Sequence, residues 1–372
     1  MRAAKLHHAM GHDPAGLYPF GGLVYKQIGF QVTVEPAPAR ADLKLRGGLQ
    51  MIKPLAVALL LACCATLAAQ DASAASQPSP APAVAITFDD LPIADGVSDP
   101  ATAAEAKEIN RTILNALAAR RIPATGFVIQ KHVDELGDAG LAILRSWVTR
   151  GFDLADHLYS HADVNTLTVG QAEQEIVRGE PAIAEILAEV GRRPRYIRFP
   201  YNHTGETGDK HDELARFMAL RGYKLAPCTI DNDDYEFATA YRIALRRGDQ
   251  RSAAKIRAAY VAFTATAIDW YSQVASDVFG RQPPHVMLLH DSPLNRDTIN
   301  EVMALFAKRG YRFVTLDEAL QDPAYEIPEL ITAYGPMWGY RWARQLHVKL
   351  DVRKEPTPPQ WMTAYAKGGP LR

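Results

Sequence analysis

Cysteine is scarce in this 372-residue chain. Cys63 and Cys64 are neighbours in one apolar run, and Cys228 is the only other. A lone thiol in the body of the chain excludes an intramolecular disulfide framework there. An excess of one charge is missing as well: 41 Lys and Arg stand against 42 Asp and Glu, a formal net charge of -1. With no basic stripe or lysine-rich run, a nucleic-acid partner is not expected. The apolar run at 55–69 falls short of the roughly 20 residues that span a bilayer, so no stable membrane span is expected in the mature form.

That run has another reading. Met51-Ile52-Lys53 gives a short basic start, 55–69 an apolar stretch, and Ala72-Ser73-Ala74 a small-residue cleavage pattern. This is the layout of a secretory signal peptide over 51–74. Translation is then expected to start at Met51, with 1–50 an upstream over-call, and the product to be secreted or periplasmic. A lipoprotein anchored at Cys63, and a buried core helix or membrane anchor, are the alternatives. Residues 75–83, rich in Ser, Pro and Ala, read as a linker.

From Val84 onward short apolar runs alternate with amphipathic stretches. Strands are expected at 84–88, 124–129, 152–156, 195–199, 223–230, 285–290 and 311–315. Helices are expected near 102–120, 135–150, 168–190, 209–221, 236–280 and 295–309. Arg150-Gly151-Phe152, Arg221-Gly222-Tyr223 and Arg309-Gly310-Tyr311 repeat one device: a cation in the last helical turn, a glycine cap, an aromatic opening the next strand. Such alternation means parallel βα units. About seven of them suit a closed or nearly closed barrel, with an open sheet as the alternative.

The ionisable residues fall in one place. Asp89-Asp90, His157, Arg198, Asp231 and His290 each lie at or just past the C-terminal end of an expected strand. In βα barrels and open α/β sheets that end carries the active site. His157 and His161 are four apart, a spacing that on a helix puts both rings on one face. With one carboxylate they would complete a 2-His-1-carboxylate set for a divalent metal. The second acid would be left to take a proton. Singly, each has a plainer reading: a turn or cap for the acids, a structural ion pair for Arg198, a core histidine for His290.

Five motifs in order carry a resemblance. Thr87-Phe88-Asp89-Asp90, His157-Leu158-Tyr159-Ser160-His161, Arg198-Phe199-Pro200-Tyr201, Asp231-Asn232-Asp233-Asp234-Tyr235 and Leu288-Leu289-His290 are similar to those of the polysaccharide deacetylases. These are the NodB-homology carbohydrate esterases, and the similarity covers roughly 84–320. The resemblance implies a distorted (β/α)7 barrel over 84–323. It implies a divalent metal, zinc with cobalt or nickel as alternatives, held by Asp90, His157 and His161. It implies that Asp89 is the general base, oriented by Arg198, and that His290 is the general acid, paired with Asp234. Leu288 would lie by the acetyl methyl, and a backbone N–H near Tyr201 would face the oxyanion. Tyr235 would wall the pocket.

The departures matter too. Tyr235 stands where tryptophan is common in the family, and Asn202 where glycine is common. The span from Asp234 to His290 is about twice the expected length and holds a helical insertion at 238–282, expected over or beside the cleft. Tyr241, Tyr260, Trp270 and Tyr271 either contact substrate there or glue the insertion to the barrel. His203, Glu206 and His211 match no family ligand and are expected to be solvated loop residues. Residues 324–372, with Trp338, Trp342 and Trp361, read as a packing extension. The expected function is an exported, metal-dependent hydrolase removing acetyl groups from N-acetylated, or else O-acetylated, poly- or oligosaccharide by metal-hydroxide attack. The alternatives are a hydrolase opening a small cyclic amide such as allantoin, and a catalytically weak barrel that binds glycan.

Overall fold

The computed structural model describes residues 81–94 and 100–367. The expectations for 1–50 and 51–74, and most of the 75–83 linker, lie outside the described residues. Seven parallel strands form one curled sheet: β1 (Ala83–Leu91), β2 (Ala124–Val128), β3 (Asp153–Asp156), β4 (Tyr196–Ile197), β5 (Lys224–Leu225), β6 (His285–His290) and β7 (Arg312–Val314). The order is β5-β4-β3-β2-β1-β6, with β7 pairing the first residues of β1.

β1 is buried along all nine residues, as a strand covered on both faces must be. Its side chains alternate between two cores with the period of a strand. Ala83 and Ala85 pack with Phe127, Ala155, Ala226 and Val286; Val84, Ile86 and Phe88 pack in the larger core beneath the helices. Small residues on the first face let the sheet curl over a narrow interior.

β4 and β5 are shorter than the runs 195–199 and 223–230 suggest. Pro200 and Pro227 have no N–H to donate to a ladder. The chain after β5 nonetheless crosses the gap in the sheet. It begins beside β4, with Lys224 opposite Tyr196, and ends beside β6, with Ile230 opposite Met287. That crossing curls the α/β sheet towards the expected barrel.

The helices are α1 (Pro100–Ala119), α2 (Gln130–Leu136), α3 (Asp138–Thr149), α4 (Val169–Gly179), α5 (Pro181–Ala188), α6 (Gly208–Leu220), α7 (Asp234–Arg246), α8 (Gln250–Phe279), α9 (Pro293–Lys308), α10 (Leu316–Ala319), α11 (Trp338–Gln345) and α12 (Gln360–Ala366). Single long patterns broke at punctuation. Gly137 separates α2 from α3, Pro181 opens α5, and Gly248 precedes α8. The glycines of the Arg-Gly-aromatic device are left-handed, at φ 86° for Gly151, 78° for Gly222 and 77° for Gly310. Among the described residues no helix is long and apolar enough to cross a membrane.

The insertion is the pair α7 and α8. Phe237, Tyr241, Tyr260, Phe263, Ile268 and Tyr271 bury into the larger core, and Trp270 donates its indole N–H to the Tyr340 hydroxyl at 2.7 Å. These aromatics hold the insertion to the body.

Candidate active site

The rim at the C-terminal ends of the strands begins with β1. Ala83, Ala85, Thr87 and Asp89 share one face by alternation, which brings Asp89 to the top of the interior. Its neighbour would ordinarily point the opposite way. The β1–β2 register shifts between Phe88 and Leu91, and Asp90 has a left-handed φ of 65°. Both carboxylates therefore meet His157: Nε2 lies 3.7 Å from Asp89 Oδ2 and 3.4 Å from Asp90 Oδ1.

His157 and His161 are not on a helix. They lie in the loop after β3, where Leu158 and His161 take φ of 68° and 59°. Two left-handed turns, rather than a helical face, fold the chain back so that His161 Nε2 also comes 3.4 Å from Asp90 Oδ1. Asp156 shapes this loop, its buried carboxylate accepting the N–H of Leu158 at 2.7 Å.

Three potential ligand atoms, one each from Asp90, His157 and His161, lie within 4.8 Å of one another. Asp90 Oδ1 is buried and has no hydrogen-bond partner, which leaves its lone pairs free. A tetrahedral zinc with bonds of about 2.0–2.1 Å places its ligands about 3.3–3.4 Å apart, the spacing of both His–Asp90 pairs. His157 Nδ1 sits 2.8 Å from the carbonyl of Arg198. A carbonyl only accepts, so Nδ1 carries the proton and Nε2 keeps the lone pair a metal needs. Burial opposes the charge on Asp90, but His161, His157 and His290 overcome it and hold the carboxyl well below its usual range. Burial pushes the His161 ring towards its neutral form. The residues fit a divalent metal.

Asp89 is tied elsewhere. Arg198, buried beneath the rim, donates from Nη1 to Asp89 Oδ1 at 2.5 Å and to the Thr87 hydroxyl at 2.9 Å. Its Nε reaches the Ala226 carbonyl at 3.1 Å, and its guanidinium lies 4.0 Å from the Phe127 ring centre. Thr87 in turn donates to the Met287 carbonyl at 2.6 Å. A buried arginine fixed by three elements gives Asp89 one orientation and a compensating charge.

On the opposite side His290 ends β6. Its Nδ1 is 2.6 Å from Asp234 Oδ1, and its backbone N–H donates to Asp234 Oδ2 at 2.7 Å. Burial disfavours the charged ring, yet the charge and hydrogen bond of Asp234, with Asp90 and Asp89 behind it, raise its pKa to about 10. Asp231 accepts the Asp233 N–H at 2.9 Å, a turn that starts α7 and so delivers Asp234. Leu288 is buried on β6, while Tyr201 and Tyr235 are each 50% exposed. The Tyr201 ring lies 5.0 Å from that of His161, and the Tyr235 ring 6.1 Å from that of His290. Asn202, in the glycine position, has a left-handed φ of 53°, which asparagine tolerates.

Some residues escaped the sequence reading. Asn295 donates to Asp234 Oδ2 at 2.5 Å and to the His290 carbonyl at 2.8 Å. Its own carbonyl accepts from Tyr260 at 2.7 Å, and Tyr260 accepts from Asn232 at 2.9 Å. His203, expected in solvent, is buried, with Nδ1 2.6 Å from Asp163 Oδ1. Glu206 pairs with Lys210 at 2.9 Å, and His211 Nδ1 lies 3.0 Å from the Thr204 carbonyl. No spacing announces these contacts. Cys228 is buried in the core, and burial pushes its thiol far above the usual range, so it packs and does not react.

Residues 76–222 match the family model described as Polysaccharide deacetylase. Over that span the chain is similar to the polysaccharide deacetylases. It is 28% identical over 165 residues to a probable peptidoglycan-N-acetylglucosamine deacetylase of Arthroderma benhamiae, covering 44% of this chain and 32% of that one. It is 30% identical over 155 residues to a chitooligosaccharide deacetylase of Sinorhizobium fredii, covering 42% and 60%. The chain thus spans less than two thirds of the length of either relative. A family 4 carbohydrate esterase from Streptomyces lividans, solved with acetate, aligns at 21% identity and a TM-score of 0.41, covering 65% of this chain and 96% of that one.

Proposed function

We propose that the protein is a metal-dependent deacetylase that removes acetyl groups from N-acetylated sugars of a poly- or oligosaccharide. The observation that carries this reading is one rim holding three sets side by side: the Asp90–His157–His161 cluster, the Asp89–Arg198 pair and the His290–Asp234 pair. The polysaccharide deacetylase family match supports it.

Asp90, His157 and His161 would hold the metal. When bound, zinc lowers the pKa of water from about 15.7 towards about 7 and polarises a carbonyl as a Lewis acid. Asp89, oriented by Arg198, takes the proton of the attacking water. His290 lies across the site with its charge stabilised by Asp234, and it gives its proton to the nitrogen of the departing sugar amine. An amide nitrogen leaves poorly as an anion, so this donation decides the direction of collapse. The Tyr201 N–H stabilises the developing oxyanion, Leu288 borders the acetyl methyl, and Tyr235 walls the sugar. A signal peptide at 51–74 would direct export, and envelope glycans are the substrates that export would bring within reach.

Acetate release from N-acetylated chitooligosaccharide and O-acetylated xylan, with ring opening of allantoin assayed beside it, tests the reading. Release from the first is expected, and Asp89→Asn should retain metal while losing at least about 100-fold in kcat. Ring opening of allantoin without acetate release, or normal turnover in Asp89→Asn, would overturn it.

A further inference from the structure

The extension after the barrel reaches the rim. Tyr201 and Asn202, side by side in the loop after β4, both have left-handed φ, at 61° and 53°. Asparagine tolerates that conformation, but a tyrosine persists in it only where its surroundings over-determine it. Part of that constraint comes from more than 130 residues further along the chain. Arg341, on α11 and 1% exposed, donates from Nη2 to the Asn202 carbonyl at 2.5 Å. Its Nη1 meets the Glu329 carboxylate and lies 3.3 Å from the Thr204 hydroxyl, which donates to the same carboxylate oxygen. Its Nε donates to the Pro336 carbonyl at 3.0 Å.

Gly335 closes the clamp from the other side. A β-carbon at that position would lie 1.7 Å from the Tyr201 carbonyl oxygen and 2.9 Å from its carbonyl carbon. Only a residue without a side chain lets the two backbones meet so closely. The extension therefore grips the peptide that joins Tyr201 to Asn202 through both its carbonyl oxygen and the next one. A buried guanidinium is tolerated only when its donors are satisfied. Here they are satisfied partly by the very loop that carries Tyr201.

We propose that Arg341 and Gly335 are positioning residues for the Tyr201–Asn202 loop, so that residues 329–341 complete the active site rather than merely cover the barrel. The proposal rests on the deacetylase reading for its consequence, since a displaced Tyr201 N–H weakens the oxyanion contact and not substrate binding. The effect should fall on kcat.

The test compares wild-type protein with Arg341→Ala, Arg341→Lys and Gly335→Ala. Three quantities are read: backbone hydrogen exchange at residues 201–204, bound zinc, and steady-state acetate release from N-acetylated chitooligosaccharide. In Arg341→Ala, exchange at 201–204 should quicken by at least about tenfold. Zinc content should not change, and kcat should fall about 100-fold with KM within about threefold. Lysine cannot span the separate acceptors, so Arg341→Lys should lose nearly as much. Added guanidinium should restore part of the Arg341→Ala rate. If Arg341→Ala does not fold, Gly335→Ala, which leaves the Arg341–Glu329 pair in place, carries the same expectation. Unchanged exchange, or faster exchange with wild-type kcat, overturns the proposal. Wild-type protein that releases no acetate would overturn the deacetylase reading instead, and the exchange measurement alone would then decide the clamp.

Discussion

Asp89 and Asp90 illustrate how adjacent, identical residues acquire different surroundings. Alternation along β1 points Asp89 at Arg198, while a left-handed φ turns Asp90 towards the two histidines. The sequence named both acids and both histidines, because five short motifs in order are legible without a structure. It misjudged how the histidines converge, since i,i+4 spacing suggests a helix and two positive φ values are invisible in the letters. His290 offers a pH test. Asp234 contributes more than Asp90 and Asp89 to raising the ring to about 10. Asp234→Asn should therefore move the alkaline limb of kcat/KM down towards the ordinary histidine value of about 6.5. The sign for stability follows from the same shift. A raised folded pKa adds stability that is full below about 6.5 and is lost as pH rises through about 10. Chelator-treated wild-type protein should thus lose more Tm than Asp234→Asn between pH 7 and a pH of about 10.5. Equal pH dependence in the two proteins would show that Asp234 does not hold the charge.

At the scale of elements, strands and helices were readable where a pattern ran uninterrupted and less so where punctuation intervened. Pro200 and Pro227 shorten the ladders of β4 and β5, and Gly137, Pro181 and Gly248 divide helices that look continuous by periodicity. The insertion was visible as excess length, but its contacts were not. Tyr260 of α8 links Asn232 to Asn295, and Asn295 holds both Asp234 and the His290 carbonyl. The insertion thus supports the His290 side of the rim from behind. Tyr260→Phe removes two hydrogen bonds; Asn232 keeps the Thr264 hydroxyl, but the buried Asn295 Oδ1 loses its donor, which should cost about 1–3 kcal/mol. Its kcat should fall with little change in KM, because Asn295 loses its anchor. A denaturant midpoint equal to wild type, with unchanged kcat, would detach the insertion from the site.

At the scale of the whole molecule, a sheet of parallel strands gathers ionisable side chains at one end. That arrangement was legible from the strand-helix alternation alone, because every polar candidate followed an apolar run. The extension was legible only as a packing segment: Arg341 and Gly335 belong to no motif, and their contacts with residues 201–204 span far too much sequence for any local pattern. In the proposed function Asp90, His157 and His161 hold a metal on which glycan deacetylation depends. That dependence is tested by acetate release from N-acetylated chitooligosaccharide by one preparation, assayed as purified, after chelation, and after zinc is returned at one equivalent per chain. Release should vanish on chelation and return with the single equivalent. Release that continues undiminished in fully demetallated protein would show that the reaction needs no metal.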